Sequence, residues 1–142
     1  MTDLIVVYDA NVLYSASLRD FLVELALAKV FEARWTEEIH SEWIRNVLLN
    51  RSDLTIERLT RTKNLMNASV EGSLVTGYEE IIPQLQLPDL GDRHVLAAAI
   101  RSSAKYIITF NLRDFPNEAI CLRHASRTHH TTFRQNILMF LS

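Results

Sequence analysis

The run Leu4-Ile5-Val6-Val7-Tyr8 constrains the fold of this chain more than any other feature. Every position in it is aliphatic or aromatic, so neither face of an extended segment is left for water. A strand of that kind needs cover on both sides, which a sheet obtains by packing helices against each face. The run stops at Asp9, and a second run, Tyr106-Ile107-Ile108-Thr109-Phe110, leads through Asn111 to Asp114. Both carboxylates read as standing at the carboxyl end of a buried strand.

Helical spacing fills much of the interval. Leu18, Phe21, Leu22, Leu25, Ala26 and Ala28 share one helical stripe that Val30-Phe31 closes. Thr36 is placed to cap the next helix, with Glu37 and Glu38 in its first turn and Ile39, Trp43, Ile44, Val47 and Leu48 on its apolar face. A more polar helix follows through Ile56, Leu59, Leu65 and Met66, then a short strand at Ser73-Leu74-Val75. Leu87-Pro88-Asp89-Leu90-Gly91 is loop chemistry before the Ala-rich segment that Asp92 opens. This order predicts an α/β fold, a three-layer α/β/α sandwich with a mainly parallel central sheet.

Composition narrows the classes. A chain of 142 residues, 48% hydrophobic and 23% charged, is long enough to bury one core and carries no linker rich in Pro, Gly or Ser. No apolar stretch approaches the ~18–20 residues of a membrane span, and Met1-Thr2-Asp3 shows no basic leader. The lone Cys121 excludes an internal disulfide framework, which together with the rest reads as cytoplasmic. A formal net charge of −2 argues against holding nucleic acid by bulk electrostatics. No Asp or Glu follows Glu118, so the tail with Arg123, Arg127 and Arg134 is basic and the body acidic.

Four carboxylates, Asp9, Glu42, Asp92 and Asp114, each adjoin an apolar run. Open α/β sheets place their ligand sites at the carboxyl ends of strands and the helices that follow. Carboxylates gathered there require a cation, since each close pair repels by roughly 4 kcal/mol at an effective dielectric near 20. Oxygen donors alone suit Mg²⁺ or Mn²⁺ and do not suit zinc. The expectation is a metal-dependent phosphodiesterase. Taken singly, each acid has a plainer role: Asp9 and Asp92 as helix N-terminal residues, Asp114 as a turn cap before Phe115-Pro116, Glu42 as a solvated helix residue. Spacing does not separate Glu42 from Glu38, four residues earlier on the same side.

Four segments, taken in order, resemble the successive motifs of PIN-domain nucleases, and more narrowly the VapC-type toxins of bacterial toxin–antitoxin pairs. They are Asp9-Ala10-Asn11-Val12-Leu13-Tyr14-Ser15-Ala16, Thr36-Glu37-Glu38-Ile39-His40-Ser41-Glu42-Trp43, Asp92-Arg93-His94-Val95-Leu96-Ala97-Ala98-Ala99 and Thr109-Phe110-Asn111-Leu112-Arg113-Asp114-Phe115. The resemblance implies an acidic pocket that binds Mg²⁺ or Mn²⁺ and cleaves RNA. It puts Asp9, Glu42, Asp92 and Asp114 in catalytic positions, with Asp9, Asp92 and Asp114 as metal ligands. Glu42 thereby outranks Glu38. Asn11, Thr109 and Asn111 become polar pocket residues. Arg93 and Arg113 either meet phosphate or are solvated charges, and His94 reads as a packed or surface histidine.

The same resemblance implies an antitoxin partner and a homodimer, using the helix with Phe21, Leu22 and Leu25 or the one around Leu59. It runs from about Leu4 to Pro116 and then fails. Residues 1–118 are expected to form the nuclease core, and 119–142 a basic segment that has diverged or arose from a changed reading frame. The closing run Ile137-Leu138-Met139-Phe140-Leu141 reads equally as a docking helix, a strand or an oligomer contact, while His124, His129 and His130 lack ligand-spaced partners.

Two enzyme classes that also begin with a strand and an acid are disfavoured. A haloacid-dehalogenase-like phosphatase needs Asp where Asn11 stands, and a phosphoacceptor receiver domain needs an acidic pair and a late lysine. The remaining alternative to a nuclease is a non-catalytic PIN-like module that binds protein.

Overall fold

A computed structural model of the protein describes residues 4–85 and 93–110. Asp92, Asn111, Arg113, Asp114 and the expected tail 119–142 lie outside the described residues.

The predicted parallel sheet is present. Strand β1 (Ile5–Tyr8) pairs in parallel with β2 (Glu32–Arg34) on one side and β3 (Tyr106–Ile108) on the other, in the order β2-β1-β3. Val6, Val7 and Tyr8 are all fully buried, so both faces of β1 are covered, as its unbroken apolar sequence requires. The Tyr8 ring stacks on Trp35 with centroids 6.0 Å apart, and its hydroxyl donates to the Leu22 carbonyl at 2.7 Å.

Five α-helices are found among the described residues: α1 (Ala10–Leu13), α2 (Ala16–Leu27), α3 (Glu37–Asn50), α4 (Ile56–Ser69) and α5 (Arg93–Ser102). Thr36 caps α3 as expected, its side chain accepting from the Ile39 N–H at 3.0 Å. Ser15 and Thr55 do the same for α2 and α4. A cap of this type is worth about 1 kcal/mol and sets where each helix begins. A 3₁₀ segment, Glu79–Gln84, packs against α5. No helix among the described residues is long and apolar enough to cross a membrane.

Strand β2 is absent from the sequence reading, which ends the α2 region at Val30-Phe31 and goes directly to the Thr36 cap. Its three residues, Glu-Ala-Arg, look like surface helix or turn. The period of two becomes visible only with the flanks: Phe31, Ala33 and Trp35 are buried, while Glu32 and Arg34 are half-buried on the opposite side. There the Arg34 guanidinium donates to Glu32 at 3.1 Å, which lets two charged side chains share a strand face. The expected strand at Ser73-Leu74-Val75 is reduced to a single parallel bridge from Leu74 to Trp35.

A polar chain joins α3 and α4 within the core. Asn67 Oδ1 accepts from Trp35 Nε1 at 2.7 Å and from His40 Nε2 at 2.9 Å, while Trp43 Nε1 donates to His40 Nδ1 at 3.0 Å. An indole N–H only donates, so His40 must be the neutral tautomer with its proton on Nε2. Of the expected partner surfaces, Leu22 and Leu59 belong to the core, whereas Phe21 is exposed.

Candidate active site

The strand order creates the site. The chain leaves β1, adds β2 on one side, and returns to add β3 on the other. The carboxyl ends of β1 and β3 therefore lie side by side, at the edge of the sheet where open α/β folds bind ligands. Asp9 follows β1 and Thr109 follows β3 at that point.

Asp9 is 3% exposed and held from two directions. Oδ1 accepts from the Ala10 N–H at 2.7 Å, which makes Asp9 the N-cap of α1, and Oδ2 accepts from the Thr109 hydroxyl at 2.8 Å. The plain N-cap role and the site role thus coexist in one residue. Asn11 Nδ2 donates to Thr109 Oγ1 at 3.2 Å, and Asn11 Oδ1 accepts from the Phe110 N–H at 3.2 Å. Asn11 and Thr109, expected as polar pocket residues, are brought together with Asp9.

Glu42 arrives from α3 and lies within electrostatic reach of Asp9. Burial raises the Asp9 pKa above its ordinary value, the Thr109 and Ala10 hydrogen bonds oppose that rise, the Glu42 charge adds to it, and His94 opposes it. Asp9 is thus a buried carboxylate whose surroundings among the described residues disfavour its charge. That is the environment a bound cation would reverse, and two carboxylate donors with adjacent hydroxyl and amide oxygens suit a hard divalent ion. Among the described residues no three of His, Cys, Asp and Glu stand close enough to hold a metal ion. Two of the three expected ligands, Asp92 and Asp114, are outside that set.

His94, read from the sequence as packed or surface, is 4% exposed and faces the acids. Its Nε2 is 3.3 Å from Glu42 Oε1, and its Nδ1 is 3.9 Å from Glu38 Oε1. Burial pulls its pKa down, but the Glu42 hydrogen bond and the charges of Glu38, Glu42 and Asp9 outweigh it and leave the pKa raised. Glu38 in turn accepts from the Tyr78 hydroxyl at 3.1 Å, and burial first, with Glu38 adding to it, pushes the Tyr78 pKa up to about 12. Glu38, ranked below Glu42, therefore stands at the rim of the same cluster. The signal that could have placed His94 is its position at the head of the unbroken apolar run Val95-Leu96-Ala97-Ala98-Ala99, which is buried throughout.

Arg93 is half-buried, and its Nε has no hydrogen-bond partner among the described residues. Hollows of about 550 and 480 Å³ occur along α4 and between α3 and α4, but neither is lined by Asp9, Glu42 or Thr109.

Comparison with known proteins identifies the family. The chain is 46% identical over 44 residues to a Mycobacterium tuberculosis protein named "Putative ribonuclease VapC50", a match covering 31% of this chain and 25% of that relative. No solved structure matches the chain. Residues 5–113 match the family described as PIN domain. That match runs from β1 through the segment beyond β3 and takes in the Asp9, Glu42 and Thr109 positions, so the protein belongs to the PIN-domain family.

Proposed function

We propose that the protein is a divalent-metal-dependent endoribonuclease, the toxin of a toxin–antitoxin pair acting in the cytoplasm. The observation that carries this reading is that Asp9 after β1 and Glu42 on α3, carried by separate elements, lie within electrostatic reach of each other, with His94 facing both. Membership of the PIN-domain family and the partial likeness to a protein named as a ribonuclease support it.

In this reading Asp9, Asp92 and Asp114 hold Mg²⁺ or Mn²⁺, and Glu42 completes the shell or positions a water. A bound ion there would lower the pKa of a water and offset charge on the phosphoryl oxygens. Thr109 and Ala10 fix the rotamer of Asp9 by occupying one lone pair on each oxygen, which leaves each oxygen a further lone pair for a cation. Asn11 orders Thr109 and, through Phe110, the backbone leaving β3. Asn111, Arg93 and Arg113 would meet the RNA backbone or support the acids. The antitoxin would occlude the pocket, and a homodimer would pair through helices, for which exposed Phe21, Leu49 and Leu65 leave apolar surface on α2, α3 and α4.

The test is cleavage of a mixed RNA panel by the purified protein with Mg²⁺ or Mn²⁺, beside EDTA-treated protein and Asp9→Asn. Cleavage lost in both controls is the expected result. RNA left intact by folded, metal-bound protein would overturn the reading in favour of the non-catalytic protein-binding module.

A further inference from the structure

Glu42 is a long side chain, 30% exposed, on α3, within electrostatic reach of Asp9. Left free it would sample many rotamers, and ordering such a side chain carries an entropic cost. Its hydrogen-bond partner among the described residues is His94 Nε2, at 3.3 Å. His94 is well suited to anchor it. It lies on α5, where Val95, Leu96, Ala97, Ala98 and Ala99 are fully buried and α5 packs on β1 and β3. The imidazole is therefore referenced to the same sheet that carries Asp9 and Thr109.

The opposite side of the ring bears on Glu38, 3.9 Å from Nδ1 and too far for a hydrogen bond, so orientation of the ring toward Glu42 rests on packing and on Nε2. Glu38 in turn accepts from the Tyr78 hydroxyl.

We propose that His94 is a positioning residue, which ties Glu42 of α3 to the sheet and sets the place of its carboxylate beside Asp9. The inference rests on the ribonuclease reading above and adds a residue to it. A histidine buried only to fill space would be replaceable by an apolar side chain of similar volume, whereas an anchor must keep a donor.

The experiment compares wild type, His94→Leu, His94→Gln, Glu42→Gln and the double variant Glu42→Gln/His94→Leu. Mn²⁺ affinity is read by calorimetry, RNA cleavage by kcat and KM, and folding by melting. His94→Leu is expected to lower Mn²⁺ affinity and kcat by about 10–100-fold, the usual effect of losing a group that orients a ligand, with KM for RNA unchanged. His94→Gln, which keeps an N–H where Nε2 stands, is expected to recover most of that loss. In the Glu42→Gln background the leucine is expected to cost no further Mn²⁺ affinity. If His94→Leu does not fold, His94→Asn takes its place in the same cycle.

Wild-type Mn²⁺ affinity and kcat in His94→Leu would overturn the inference, as would an equal loss with and without Glu42. A wild-type protein that neither binds Mn²⁺ nor cleaves RNA would overturn the ribonuclease reading, and this inference with it.

Discussion

Replacing Asp9 by Asn should make the metal-free protein more stable while abolishing its cleavage of RNA. The substitution keeps the shape of the site. Asn Oδ1 can still accept from the Ala10 N–H, its amide can donate to Thr109 Oγ1, and the Thr109 hydroxyl can turn to Asn11 Oδ1, 3.5 Å away. Two hydrogen bonds to an ion, about 1.5–3 kcal/mol each, become neutral ones of about 0.5–1.5, a loss near 2–3 kcal/mol in all. Against this, a carboxylate that is 3% exposed no longer has to be desolvated, a penalty of several kcal/mol after relaxation, and the repulsion from Glu42 disappears. The direction of the Asp9 pKa shows which side wins, because it is raised despite both hydrogen bonds. The net gain should be about 1–3 kcal/mol, or roughly 3–10 °C in Tm for a chain of this size.

The sign has a pH signature. A carboxyl with a raised folded pKa contributes stability that is present in full below its ordinary value of 3.8 and is lost as pH rises through the folded pKa. The advantage of Asn over Asp should therefore be greatest at pH values above the folded pKa of Asp9 and shrink as pH falls through it toward 3.8. Urea or thermal unfolding in EDTA across a pH series from 8 down to about 4 measures it. Adding Mn²⁺ at a hundred times its Kd should stabilise wild type by about 2.7 kcal/mol and Asp9→Asn by far less, reversing the order. A less stable Asp9→Asn protein in EDTA at pH 8, or a difference that does not change with pH, would refute the argument.

Three further outcomes are expected. Thr109→Val, isosteric and fully buried, removes the donor to Asp9 Oδ2 and should cost about 1.5–3 kcal/mol by urea unfolding and at least tenfold in kcat, since Asp9 would lose one of its two anchors. Asn67→Ala deprives two donors, Trp35 Nε1 and His40 Nε2, of their common acceptor; because Asn67 is only half-buried, water replaces part of it and the loss should be about 2–4 kcal/mol, visible in melting. Burial holds the His40 pKa below its ordinary 6.5, with the Asn67 hydrogen bond and Glu37 opposing the fall. The unfolded chain then binds the extra proton first, so His40 withdraws stability as pH falls below about 6.5. His94 acts in the opposite sense, which makes the His40 ring resonance in NMR the proper readout; a midpoint above 6.5 would contradict the neutral tautomer deduced from Trp43.

The sequence by itself determined what is local. The unbroken run through Tyr8 required a strand covered on both faces, Thr36 marked the start of α3 through its own hydroxyl, and the apolar stripe of α3 set its inward side, whereas the stripes of α2 and α4 did so only in part, since Phe21, Ile56 and Leu65 are exposed. These follow from backbone geometry and side-chain period within a few residues, and family resemblance supplied the order of the acids. Tertiary structure decided which groups meet. Thr109 reaches Asp9 across 100 residues and His94 reaches Glu42 across 52, contacts that depend on β1 lying between β2 and β3 and on the register of β3 against β1. It also decided what became of ambiguous residues. Glu32-Ala33-Arg34 is a strand because Phe31, Ala33 and Trp35 enter the core while the flanking charges pair on the other face, and no local preference encodes that. His94 is buried against carboxylates rather than solvated because α5 packs on the sheet, and burial is a property of neighbours that a lone side chain does not specify.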